Sequence, residues 1–217
     1  VATITPESPE AAFLAERDFR LGRLIAHIGT YAYEVPERSA DVAFERLAHS
    51  VIEQMLSMKV GRTIEGRLAE LCGGQVSRDA VQQLSVDEIR GCGISWRKAK
   101  TLQGLTETFT DEMLEGLWDL SDDEVRKALT SAKGVGRWTA DMFLIFTLDR
   151  PDVLPLEDGA IRQVFSWLYG VPLADATAQQ LVCSLWHPHA SLAVRYMYRA
   201  LNQGVLAEGA ADEVLNF

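Results

Sequence analysis

The sequence predicts an all-α protein. Three observations carry that expectation. Apolar residues recur at spacings of three and four along most of the chain, helix-start signals precede these stripes, and strand signals are few. Taken in order, Ser8-Pro9-Glu10 reads as an N-cap followed by proline at the first helical position. Thr30 to Val35 is the best short strand candidate. Phe44, Leu47, Ala48, Val51, Ile52 and Met55 then form one apolar stripe, which leaves Leu56 off it. Ile64, Leu68 and Leu71 mark a helix stopped by Gly73-Gly74. Ser85 with Glu88, and Ser121 with Glu124, have capping-box spacing, and between them Leu102, Phe109, Met113 and Leu117 predict one long helix. Leu129 leads to Lys133-Gly134-Val135-Gly136. An almost wholly apolar stretch follows, Trp138 to Leu148, as in a helix enclosed on every side. Ile161, Val164, Phe165 and Leu168 form a further stripe, and Ala193, Met197, Ala200 and Leu201 the last.

Composition narrows the function. In 217 residues, 47% are hydrophobic and 24% charged, which is the balance of a folded globular chain rather than a disordered or fibrous one. No apolar run approaches the roughly 18 residues that span a bilayer, so no membrane partner is expected. The acidic, proline-containing start lacks the chemistry of a secretion signal. Cys72, Cys92 and Cys183 include no CxxC pair, which points to a reducing, intracellular setting and to small core residues. The net charge of −10 weighs mildly against a nucleic-acid partner, but local patches decide binding more than the total does. Acids crowd Asp111 to Glu124, which reads as a solvated face. Basic residues gather elsewhere, at Arg90, Arg97, Lys98 and Lys100, at Lys133 and Arg137, and at Arg195 and Arg199.

Two short segments carry chemistry. In the first, Gly134 and Gly136 permit positive φ and close backbone approach, and the helix after them begins with exposed N–H groups. Such a helix start suits a phosphate, although the same dipeptide spacing also makes a plain turn between helices. The second is Leu156-Glu157-Asp158-Gly159-Ala160-Ile161. Asp158 precedes Ile161 by three and Phe165 by seven, so it lies on the apolar stripe at a helix start. Read from position alone, it is an N-cap. His187 and His189 form an HxH around Pro188; with no further ligand in view, a polar turn is expected there rather than zinc.

Together these segments resemble the helix–hairpin–helix (HhH-GPD) DNA glycosylase superfamily. Leu129, Lys133 and the run Gly134-Val135-Gly136-Arg137-Trp138-Thr139-Ala140 are similar to its hairpin, with lysine where proline is common. Leu-Glu-Asp-Gly-Ala-Ile-Arg-Gln from Leu156 looks like the AlkA-type branch, 3-methyladenine DNA glycosylase II. Gly93-Ile94-Ser95-Trp96-Arg97-Lys98-Ala99 resembles the family's Gly-x-Ser-x-x-Lys-Ala turn. Glu53-Gln54-Met55 stands where Gly-Gln-Gln is usual, and Trp186 to Ser191 resembles Trp-x-Pro-x-Arg-Ser with Ala190 in place of arginine. The likeness is to the core without the N-terminal β domain of the longer AlkA enzymes.

The resemblance implies a two-lobed helical bundle with its active-site cleft between lobes. Residues 1–43 would pack with the C-terminal lobe, 44–150 would form the lobe holding the hairpin, and 151–217 the C-terminal lobe carrying the catalytic aspartate. It assigns catalysis to Asp158 and the base pocket to Trp138, Tyr198 and Met142, where plain core packing is the alternative for all three and the preferred one for Met142. It assigns the DNA wedge to Leu56. Phosphate binding falls to Gly134, Val135, Gly136, Arg137 and Thr139. A structural Na+ or K+ at the hairpin backbone belongs to the same picture. Bifunctional relatives have a lysine nucleophile just before the hairpin Thr-Ala, where this chain has Trp138. Cluster-bearing relatives need four cysteines near the C-terminus, and none follows Cys183. The expectation is therefore a monomeric, monofunctional glycosylase without cofactor or iron–sulfur cluster. It would remove 3-methyladenine- or 7-methylguanine-type bases from duplex DNA, in a bacterial cytoplasm or a nucleus. A uracil or thymine mismatch glycosylase on the same scaffold, a non-catalytic hairpin module and an acidic protein-interaction bundle are the rival readings.

Overall fold

The computed structural model describes residues 1–56, 58–172 and 175–207. In chain order these residues form β1 (Ala2–Ile4), α1 (Pro9–Arg17), α2 (Phe19–Ile28) and β2 (Tyr31–Tyr33). Next come α3 (Ala40–Glu53), α4 (Met58–Leu71), α5 (Arg78–Gln82), α6 (Val86–Gly91), α7 (Trp96–Thr108) and α8 (Asp111–Gly116), the last running into a 3-10 turn at Leu117–Asp119. After these follow α9 (Asp122–Thr130), α10 (Arg137–Phe146), α11 (Gly159–Tyr169), α12 (Ala176–Trp186) and α13 (Ala190–Asn202).

The chain divides into two compact units. One joins Val1–Val35 to Arg150–Phe217, and the other is Pro36–Asp149. The first boundary falls before residue 43 because Ser39 caps α3 through the Val42 amide and so starts that helix at Ala40.

In the first unit β1 and β2 pair antiparallel, with Ala2 opposite Tyr33 and Ile4 opposite Tyr31. The Thr30–Val35 strand signal is realised; its partner, three residues in an acidic N-terminal stretch, carries no alternation long enough to read. Buried Asp18 caps α2 at the Leu21 amide (3.0 Å) and also accepts from the Tyr169 hydroxyl (2.5 Å) and Trp186 Nε1 (2.8 Å). One carboxylate thus fixes α2 against the ends of α11 and α12.

In the second unit α3 is the central element, packed on α4, α5, α7, α8 and α10 through Phe44, Leu47, Ala48, Val51 and Ile52, all fully buried. Both capping boxes form, at Ser85–Glu88 and Ser121–Glu124. The single long helix expected through Leu102 and Leu117 is two helices. Phe109 adopts an extended backbone (φ −114, ψ 136), and Thr110 restarts the chain by accepting from the Met113 amide. Thr-Asp-Glu is itself a helix-start signal, and it outweighs the apolar spacing that runs across it.

Candidate active site

The first unit carries the carboxylate. Asp158 is the N-cap of α11, and its Oδ1 accepts the Ile161 amide at 2.7 Å. Its Oδ2 accepts the Tyr198 hydroxyl, from α13, at 2.8 Å. The residue is 5% exposed. The cap expected from position alone is therefore real, and it coexists with a second, long-range donor. Two donors from packed helices hold the carboxylate plane, and its charge sits at the positive end of α11. Glu157 beside it is exposed.

The chain entering this cap is tied to the start of α13. The Val153 amide donates to Ser191 Oγ (2.9 Å), and the Ser191 amide to the Pro151 carbonyl (3.0 Å). Asp152 accepts from the Ala190 amide (3.3 Å) and pairs with His187. His189 meets the Phe13 ring edge-on at 5.1 Å. The HxH pair is thus divided between a hydrogen bond to Asp152 and an aromatic contact, as a polar turn would be. No group of three metal-ligating side chains occurs among the described residues. Sequence reading missed the part played by Asp152; its only signal is an acid a few residues ahead of a capped helix.

The second unit carries the glycine hairpin. Gly134 has φ +93, and a Cβ there would be driven into Thr101 Oγ1 on α7, with Thr101 Cγ2 and Cβ at 3.0 and 3.1 Å. Glycine is required both for the conformation and for the close approach. Gly136 is the N-cap of α10 and offers no side-chain acceptor to the amides of the first turn. That leaves an anion-attracting helix start. Val135 is buried, and its amide donates to the Ala132 carbonyl at 3.1 Å. Arg137 Nε donates to Asp141 Oδ2 (3.2 Å), whose other oxygen accepts from Arg126 Nε (2.8 Å). Buried Asp141 therefore holds two arginines, one of them at the hairpin exit.

The Thr139 side chain is enclosed, which leaves its amide, in the first turn of α10, for the expected phosphate contact. The residue is 1% exposed, and its hydroxyl accepts from Gln54 Nε2 at 3.0 Å. The same Nε2 donates to the Gly134 carbonyl at 3.1 Å. Trp138 is half-buried, whereas Met142, one turn later, is 6% exposed and packs as core.

The turn after α3 also differs from the reading of the sequence. The helix ends at Glu53, so Met55 no longer follows the stripe's spacing; it sits at φ +59 and is 100% exposed. Leu56 is 38% exposed, with its amide on the Glu53 carbonyl (2.9 Å). The turn thus presents two apolar side chains, and Met55 is the more prominent. An end of helix at Gln54 carries no glycine or proline to announce it, which is why the spacing misleads. Of the cysteines, Cys92 is buried, Cys72 half-buried, and the Cys183 side chain lies outside the described residues.

Residues 48–188 match the model of the HhH-GPD superfamily base excision DNA repair proteins, and the chain belongs to that superfamily. Within it, the chain is 32% identical over 157 residues to DNA-3-methyladenine glycosylase 1 of Schizosaccharomyces pombe, covering 69% of this chain and 68% of that one. It is 34% identical over 144 residues to the DNA-3-methyladenine glycosylase of Saccharomyces cerevisiae, spanning 61% of this chain and 48% of the yeast enzyme. Among solved structures, a DNA-3-methyladenine glycosidase from Bacillus halodurans superposes with a TM-score of 0.76 at 26% identity, over 100% of both chains. The S. pombe 3-methyladenine DNA glycosylase in complex with abasic DNA superposes with a TM-score of 0.76 at 25% identity, over 90% of this chain and 97% of that one.

Proposed function

We propose that this superfamily member is a monofunctional DNA glycosylase that hydrolyses the N-glycosidic bond of alkylated purines in duplex DNA. The observation that carries the reading is Asp158, a carboxylate held through both oxygens by Ile161 and Tyr198 at a helix N-terminus. Names of relatives that share up to 34% of the aligned residues support the substrate class.

Cleavage builds positive charge on the sugar as the base departs with the bonding electron pair. A fixed carboxylate beside the sugar stabilises that charge more than it stabilises the uncharged sugar of the ground state, and its rigidity removes the need to reorganise during the reaction. Water then adds to the anomeric carbon and loses a proton, with Asp158 as the group that orients or deprotonates it, leaving free base and an abasic site. The base must first leave the stack, at a cost of a few kcal/mol that is least for damaged pairs. Met55 and Leu56 supply the apolar wedge that fills the gap. The hairpin amides, with Arg137, anchor a phosphate. Alkylated purines carry positive charge, so the ring of Trp138 or that of Tyr198 would favour them by about 0.5–2 kcal/mol.

Lyase chemistry is absent from the proposal because Trp138 stands where a lysine nucleophile would. With three cysteines in the chain, no four-cysteine cluster is assigned. Backbone carbonyls of the hairpin are donors suited to Na+ or K+; that of Gly134 already accepts from Gln54, so the remaining ones would serve. The glycosylase would act as a monomer where its DNA is, in a bacterial cytoplasm or a nucleus.

Incubation with methylated duplex DNA tests the reading. Free 3-methyladenine or 7-methylguanine is expected, with no covalent adduct on borohydride treatment. Release of uracil or thymine alone would favour the mismatch reading, and an efficient borohydride adduct would reject the monofunctional one.

A further inference from the structure

The turn that bears Met55 and Leu56 is not a free loop. Gln54, just before its apex, sends its side-chain amide into the hairpin, where Nε2 donates to the Gly134 carbonyl (3.1 Å) and Thr139 Oγ1 (3.0 Å). Lys98, near the start of α7, places Nζ on the carbonyls of Ile52 (2.7 Å) and Gln54 (2.5 Å), which end α3. A cation there satisfies carbonyls that have no partner within the helix and meets the negative end of its dipole. Burial, with Arg97 second, lowers the Lys98 ammonium below its ordinary value, the mark of a charge drawn out of water to serve this end. Thr101, one turn along α7, meets Gly134 from another side. The same helix therefore braces both the turn and the hairpin, and Gln54 bridges them directly.

We infer that Gln54 and Lys98 are positioning residues for base extrusion. They fix the apolar tip at a set height beside the phosphate-binding hairpin, so that insertion into the stack and anchoring of the backbone act as one rigid device. The inference rests on the proposed glycosylase reading and adds to it how the DNA is worked. Neither residue needs to touch DNA. Gln54 offers one amide group to two acceptors on the hairpin, and Lys98 secures the peptide that carries Gln54 itself. With that strap in place, the backbone at Met55 holds φ +59 while its side chain stands clear of the protein. Without it, the tip keeps the Leu56 amide on Glu53, a bond local to the turn. The same tip would then move independently of the anchored phosphate.

The test uses the full chain with duplex DNA carrying one methylated purine next to 2-aminopurine, whose fluorescence reports unstacking, together with measured release of the base. Gln54→Leu and Lys98→Met are expected to keep wild-type affinity for undamaged duplex and a cooperative melt. They should slow extrusion and single-turnover release between about tenfold and a hundredfold, the order produced by a ~1 Å misplacement. Lys98→Arg retains the donors and should restore most of the rate. Met55→Ala should slow extrusion in wild type but add little in the Gln54→Leu background, because a tip that is already loose gains nothing from its side chain. Two outcomes overturn the inference: independent, multiplying effects of Met55→Ala and Gln54→Leu, or wild-type extrusion rates in both Gln54→Leu and Lys98→Met. Failure of the underlying reading looks different, since the wild-type protein would then release no methylated base.

Discussion

Gly134 shows how one side chain, or its absence, decides a local structure. Its positive φ and its contact with Thr101 are separate constraints, so they separate by mutation. Gly134→Ala is expected to destabilise the fold by more than the roughly 1–2 kcal/mol of left-handed strain alone. Combining it with Thr101→Ala should recover the steric part and leave the strain; no recovery in thermal melts would place the whole effect in φ. Tyr198 makes the complementary point. Its ring matches an aromatic pocket position of the family, but the hydroxyl belongs to Asp158. Tyr198→Phe keeps the ring and removes the donor. It should lower the single-turnover rate about tenfold, the worth of one hydrogen bond to a charged group, and leave abasic-DNA affinity unchanged. Equal losses in rate and affinity would make Tyr198 a binding residue. Local signals show Asp158 as a helix cap and the paired glycines as a turn between helices; their catalytic and phosphate-binding readings come from the family resemblance. The Tyr198 hydroxyl bond, the Asp152–His187 pair and the Gln54 bridge could not be read in the sequence, since each joins residues far apart in the chain.

Among the elements, those with their own start and stop signals were legible. The Ser85 and Ser121 boxes lie where their spacing puts them, α11 buries the stripe expected, and α13 buries Ala193, Met197 and Ala200 but leaves Leu201 half-buried. The errors came where apolar spacing was followed across a boundary, past the helix-start signal at Thr110 and past Gln54-Met55, where no glycine or proline announces the end. Pairing of α3 with α4 has a further consequence. Glu65 on α4 is pushed up to about 7, first by burial and then by the charge of Glu53, and its Oε1 is buried with no hydrogen-bond partner among the described residues. A carboxyl raised in the folded state favours folding while protonated. That contribution is whole below the ordinary value of 4.5 and is lost as pH climbs through about 7. Glu65→Gln should therefore melt above wild type at about pH 8 and close to it at about pH 4.5. An equal shift at both would place the effect outside titration.

The molecule as a whole carries a net charge of −10 and is assigned a polyanionic substrate. Net charge alone weighs mildly against DNA, whereas the hairpin, Arg137 and the uncapped start of α10 favour it locally, in line with the superfamily match. Binding built on backbone amides and very few cations releases few counterions. The slope of log affinity against log salt should lie between about −1 and −3, corresponding to one to three neutralised phosphates. A slope near −6 would mean an extended basic surface outside this account. The fold class was legible because helical periodicity is written along the whole chain, whereas the division at Val35 and Asp149 depends on contacts between distant segments. The central claim is that Asp158 acts on the sugar rather than only capping α11. Asp158→Asn retains an acceptor for the Ile161 amide, so the cap and the fold should survive. Single-turnover release of 3-methyladenine by Asp158→Asn, measured beside its affinity for abasic DNA, is the most direct test. Release should be abolished while that affinity persists; undiminished release would leave Asp158 as a cap of α11 alone.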